Sequence, residues 1–95
     1  MKEAHVKRKV KALLDSYLHL FWFMPQGTGF GKSGIPDFVI CYKGHMIGIE
    51  TKLDASKKPT ALQEYQMERM RKAGAHAMVI HKDNIDELKE LLDSL

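Results

Sequence analysis

The stretch that most constrains this fold runs from Gly34 to Leu53. Two apolar runs rich in β-branched residues, 37–42 and 45–52, flank Lys43-Gly44. Glycine readily takes the positive φ of a tight turn, so the segment predicts a β-hairpin. A two-residue loop fixes the register: Tyr42 faces His45, and Asp37 faces Glu50. Because side chains alternate, Asp37, Glu50 and Lys52 share one face, while Phe38, Ile40, Ile47 and Ile49 share the other. The second face is wholly apolar and predicts core.

Two carboxylates directly opposed, with β-carbons roughly 4.5–5.5 Å apart, are destabilising unless something positive sits between them. A divalent cation meets that need. Hard oxygen donors without a cysteine or histidine partner suit Mg2+ or Mn2+. Lys52 points at the same place, where an ammonium can orient an attacking water or stabilise charge on a phosphate. On spacing alone, a half-exposed hairpin with solvated Glu50 and Lys52 is the alternative.

Upstream, Val6, Val10, Leu13, Leu14 and Tyr17 have helical spacing between Lys2 and about His19. Glu3 falls on the same inward stripe. Leu20–Met24 is short, apolar and aromatic, which predicts a strand buried on both faces and paired with the hairpin. Gln26–Gly34 contains Gly31-Lys32-Ser33, but the phosphate-cradling loop needs glycine where Gln26 stands and a helix where Pro36 follows. That nucleotide-binding reading fails, leaving a glycine-rich loop whose Lys32 can follow a phosphate backbone.

Downstream, 54–58 is a polar connector, and Thr60-x-x-Gln63 has the pattern of a capping box. A helix through Ala73, closed by Gly74, leads to a strand over 75–80. Asp83 or Asn84 can cap a last helix carrying Ile85, Leu88, Leu91, Leu92 and Leu95. The order is α-β-β-β-α-β-α. The crossover helix makes the second hairpin strand and the 75–80 strand parallel neighbours, so the class is α/β with a mixed sheet flanked by helices.

Ninety-five residues predict one domain spanning 1–95, and 44% hydrophobic with 28% charged residues is ordinary for a soluble globule. No run approaches a membrane span or signal-peptide core, which predicts a cytoplasmic protein with no membrane partner. Cys41, the only cysteine, reads as a packed mid-strand thiol. The five histidines lack metal-ligand spacing. Net charge is +3, but Lys2, Lys7, Arg8, Lys9 and Lys11 crowd the start, while the stretch from Lys82 is acidic. A basic end attracts polyanions without reading bases, so Lys7, Arg8, Lys11 and Lys32 are the candidate DNA contacts. A merely solvated helix face explains the same charges.

The order Pro36-Asp37, a gap, then Glu50-Thr51-Lys52 resembles the PD-(D/E)XK nuclease superfamily. Within it the chain most resembles the VRR-NUC (virus-type replication-repair nuclease) family, of the stand-alone phage or bacterial type. Gly34-Ile35-Pro36-Asp37, Glu50-Thr51-Lys52, and Thr60-Ala61-Leu62-Gln63 with Gly74 carry the likeness. Thr51 departs from the aliphatic residue usual there, and its side chain is expected to point away from the metal face. The resemblance implies a restriction-endonuclease-like core and a Mg2+-dependent endodeoxyribonuclease in which Mn2+ can substitute. It implies that Asp37, Glu50 and the Thr51 carbonyl hold the metal, that Lys52 serves the attacking water, and that Glu3 and Gln63 complete the site. Capping alone also explains Gln63, and a dipole-favoured surface glutamate also explains Glu3. By the same resemblance the chain acts on branched DNA, such as four-way junctions, as a homodimer. Trp22, Phe30, Tyr65, Met67 and Met70 are the candidate interface. The alternatives are a catalytically idle DNA-binding module, a small assembly protein, and a monomeric flap or single-strand nuclease.

Overall fold

The computed structural model describes residues 2–26 and 33–95. Its elements are α1 (Glu3–Asp15), β1 (Leu20–Phe23), β2 (Phe38–Tyr42), β3 (His45–Thr51), α2 (Ala61–Lys72), β4 (His76–Ile80) and α3 (Ile85–Ser94). This is the αβββαβα order expected from the sequence. One sheet runs β1-β2-β3-β4. β1, β2 and β3 pair antiparallel, while β3 and β4 are parallel across the α2 crossover.

The hairpin takes the predicted register, from Tyr42↔His45 to Phe38↔Ile49. Lys43 (φ 51) and Gly44 (φ 81) are both left-handed. A type I′ turn needs that pair, so lysine shares the backbone cost with glycine. The ladder ends at Phe38, leaving Asp37 just outside β2.

Val6, Val10 and Leu14 of α1 and Leu88 and Leu92 of α3 bury against Phe38, Ile40, Ile47, Ile49 and Ile80. Each such side chain contributes about 1.5–3 kcal/mol when fully removed from water. Past the end of α1, the Tyr17 hydroxyl donates to Asp93 Oδ1 at 2.6 Å and ties it to α3. Burial and Asp93 push that phenol up to about 12.

α2 covers the opposite face. A Cβ on Gly48 would lie 2.6 Å from Met70 Cε and 3.1 Å from Pro36 Cγ, so glycine lets both settle closely on β3, and a larger residue would displace the end of Met70. Thr60 and Gln63 form the expected capping box, each accepting from the other's backbone N–H. Gly74 (φ 101) follows the α2 C-cap. Asn84 sits at the start of α3 without capping it. Its amide instead accepts from His81 N–H and donates to the Val79 carbonyl, closing the end of β4.

Several expectations fail where a sheet face lacks cover. β1 is an edge strand with alternating exposure, not a strand buried on both faces. Phe21 is 66% and Phe23 47% exposed, because α2 packs over β3 and β4 and stops short of β1. Cys41, paired with Phe21, shares that open face and is exposed rather than packed. Conversely, three proposed interface residues are absorbed. Trp22 stacks on Phe38 and donates to Asp15, Met67 is buried, and Met70 lies on Gly48. Tyr65 stays exposed, and Phe30 lies outside the described residues.

Candidate active site

The sheet ends where β3 runs out, and the first turns of α1 and α2 meet there from opposite faces. β3 ends at Thr51, whose N–H faces β2; but β2 has already stopped. The Asp37 carboxylate takes the place of the missing ladder acceptor. Its Oδ2 accepts from Thr51 N–H at 3.0 Å and from Thr51 Oγ1 at 2.5 Å. This corrects the expectation that the Thr51 side chain points away from the site: its hydroxyl helps anchor Asp37. A hydroxyl on a fully buried residue needs an acceptor, and Asp37 supplies it.

Upstream, the approach to Asp37 is clamped. Gly34 (φ 83) passes so close to α2 that a Cβ would lie 2.6 Å from the Leu62 carbonyl oxygen. Gln66 Nε2 donates to the Ser33 carbonyl at 3.3 Å, and Pro36 is buried. Asp37 is therefore placed by α2 as well as by β3.

Glu50 is 3% exposed. Its Oε2 accepts from Gln63 Nε2 at 3.0 Å and lies 3.4 Å from Lys52 Nζ. Its Oε1 is buried and has no hydrogen-bond partner among the described residues. Burial, and then the Asp37 charge, push the Glu50 carboxyl above its ordinary value against the pull of Lys52, and Glu3 adds a further push. Gln63 serves both readings given for it: Oε1 completes the α2 cap while Nε2 holds Glu50.

Glu3 is exposed in the first turn of α1, where the buried stripe has not yet begun; Val6 is its first buried member. Glu3 stands close enough to act on the Glu50 charge and lines a cavity with Lys52. Lys7, read from sequence only as a DNA contact, lies 4.0 Å from Asp37 Oδ1. Its spacing of four from Glu3 places both on one side of α1, and that was the available clue. Lys11 continues the row. Arg8 turns elsewhere, lining a shallow concavity with His5, Lys9 and Ala12, and Lys32 lies outside the described residues.

The site thus has two carboxylates, each beside one lysine, and one buried acceptor left open. Among the described residues no group of three or more His, Cys, Asp and Glu side chains converges on a cation position. Two carboxylates suit a cation that keeps much of its water, as Mg2+ does. The open Glu50 Oε1 is the atom such an ion would satisfy.

A four-stranded mixed sheet between helices, with Asp37 before one hairpin strand and Glu50-Thr51-Lys52 ending the other, defines the restriction-endonuclease-like PD-(D/E)XK class. No protein-family model and no curated protein matches the sequence. Among solved structures, one VRR_NUC domain matches with a TM-score of 0.81 and 29% identity, over 95% of this chain and 96% of that one. A second, a VRR_NUC domain protein, shares the fold with a TM-score of 0.79 and 21% identity, over 99% and 89%. By this likeness the chain has the fold of VRR-NUC domains.

Proposed function

We propose that this protein is a Mg2+-dependent DNA endonuclease, cytoplasmic, working as a homodimer on branched DNA. The observation that carries the reading is the buried, unpartnered Oε1 of Glu50 beside Asp37. An uncompensated acceptor within a repelling carboxylate pair is costly and is relieved by a cation. Asp37, Glu50 and the Thr51 carbonyl would hold Mg2+ or Mn2+. Once bound, the ion supplies Lewis-acid polarisation of the scissile phosphate and lowers the pKa of the attacking water.

The chain's own residues do the rest. Gln63 and Lys52 fix Glu50 from two sides, and Thr51 fixes Asp37. Lys52, 18% exposed, is positioned to orient water at the scissile phosphate and to stabilise its developing charge. Lys7 offers a second ammonium on the Asp37 side.

Dimerisation finds support in the uncovered face of the sheet. Phe21, Phe23 and Met46 are each at least 47% exposed, and Phe21, Cys41 and Met46 sit on adjacent paired positions. Exposed contiguous apolar surface of this kind marks association sites. A two-fold pair would present two sites to a symmetric junction.

Thermal shift with Mn2+ against a Glu50→Ala control, then cleavage of a four-way junction and a linear duplex beside sedimentation, tests each element. Mn2+-dependent stabilisation of the wild type alone, junction preference and a dimer are expected. No divalent response refutes the metal reading. A monomer without junction preference refutes the dimer while leaving the chemistry standing.

A further inference from the structure

Leaving β3, the chain turns to form one wall of a cavity of about 720 Å³. Lys2, Lys52, Lys57 and Lys58 line it, with Glu3 and Ser56. Four lysines therefore share the cavity with one glutamate, and the Lys52 ammonium also lies 3.4 Å from Glu50. Lys2, Lys57 and Lys58 take no ion pair among the described residues. Gathering like charges in a concavity works against folding and focuses positive potential, an arrangement suited to a polyanion.

The wall is built rather than loosely draped. Asp54 Oδ1 accepts from Ser56 N–H at 2.9 Å and from Ser56 Oγ at 2.5 Å, and Lys57 N–H donates to the Asp54 carbonyl at 3.1 Å. Asp54 is thereby occupied in shaping the turn that presents the lysines. Pro59 restricts Lys58 to an extended backbone and leads directly into the Thr60 cap. Across the cavity, Lys2 is fixed by its N–H bond to His5 Nδ1 at 3.0 Å.

Lys52 and Glu3 border both this cavity and the carboxylate site, so the two are continuous. The volume falls within the roughly 300–1,000 Å³ of small-ligand pockets, enough for a sugar-phosphate unit. We propose that the lysine-lined cavity seats an internal phosphodiester of the cleaved DNA strand, the one flanking the scissile phosphate. The strand then crosses the Lys57-Lys58 turn beside the first turn of α1. This rests on the nuclease reading and adds to it the path of the substrate strand.

The test pairs Lys57→Ala/Lys58→Ala with the wild type. Both side chains are exposed, so an unchanged melting temperature is expected. In EDTA, fluorescence anisotropy of a labelled duplex across salt concentrations should give a log-log slope flatter by about 0.9 for each phosphate that the variant no longer neutralises. In single-turnover cleavage with Mn2+, a neutral methylphosphonate at one flank should slow the wild type and leave the double variant no slower than it is on unmodified DNA. An unchanged salt slope, or an equal methylphosphonate penalty in both proteins, overturns the proposal. So does wild-type binding that depends on a 5′-terminal phosphate, which would make the occupant a strand end. Failure of the nuclease reading shows itself separately, as no divalent-dependent cleavage by the wild type, while the salt slope still reports on the cavity.

Discussion

Glu50→Gln should make the metal-free protein more stable at neutral pH. Glutamine keeps the side chain's shape but removes a charge from a position 3% exposed, where one carboxylate oxygen has no partner among the described residues. Leaving a buried polar atom unsatisfied costs about 1–3 kcal/mol and more when it is charged; the glutamine amide is likewise unpartnered, so what the variant gains is the removal of the charge. Against this stands the loss of the Lys52 ion pair, whose separation of 3.4 Å is longer than a strong charge-assisted hydrogen bond and whose ammonium can rehydrate. The raised carboxyl of Glu50 fixes the net sign: burial and Asp37 outweigh Lys52, so folding disfavours the charged form relative to the unfolded chain. The folded protein therefore holds this proton more tightly than the unfolded chain. Stability from Glu50 is present at pH below its ordinary 4.5 and is lost as pH rises from there through the folded value.

The variant avoids that loss, so the gap between the proteins opens above about pH 4.5 and reaches about 1–3 kcal/mol at neutral pH. For a chain of this size each 1 kcal/mol moves the melting temperature by about 4–8 °C. Asp54 and Asp93, both held below their ordinary values, pull the absolute profile the other way but cancel in the difference. Urea unfolding of both proteins in EDTA between pH 4 and 8 reads it. Adding Mn2+ should reverse the order, since only the wild type gains the binding term, about 2.7 kcal/mol at a hundredfold excess over Kd. A Glu50→Gln protein less stable than the wild type at pH 7.5 in EDTA would overturn this account of Glu50.

Asp37→Ala should abolish cleavage but, unlike the Glu50 change, destabilise by about 1–3 kcal/mol, because it orphans the buried Thr51 N–H and hydroxyl; denaturant titration reads the contrast. Lys52→Ala should lower the single-turnover rate on the order of 10²- to 10⁴-fold with DNA affinity nearly unchanged, and the opposite pattern makes Lys52 only a phosphate contact. Gly34→Ala should cost far more than Gly44→Ala. Both glycines have positive φ, but only at Gly34 does a Cβ meet backbone, and calorimetry of the two variants isolates that close approach. Phe21→Lys with Phe23→Lys should shift sedimentation to the monomer without lowering the melting temperature measured at dilution, because both side chains already face solvent.

The hairpin register, the Thr60–Gln63 cap and the αβββαβα order were legible in the sequence because alternation, turn length and capping act between near neighbours. That Asp37 and Glu50 converge followed from the same rule, and so did the placing of Lys52 beside Glu50. What the sequence could not decide was which faces get covered. Whether Phe21 and Cys41 are packed depends on how far α2 reaches across the sheet, a property of long-range packing rather than of those strands. Likewise, the hydroxyl of Thr51 meets Asp37 only because β2 stops two residues short of pairing with the end of β3 and leaves an N–H for a side chain to satisfy. The recruitment of Lys7 needs α1 laid across the sheet's end, and the lysine-lined cavity needs the first turn of α1 brought against the turn after β3. Local periodicity fixes which side of an element a residue occupies, but only the packed layers determine what it faces.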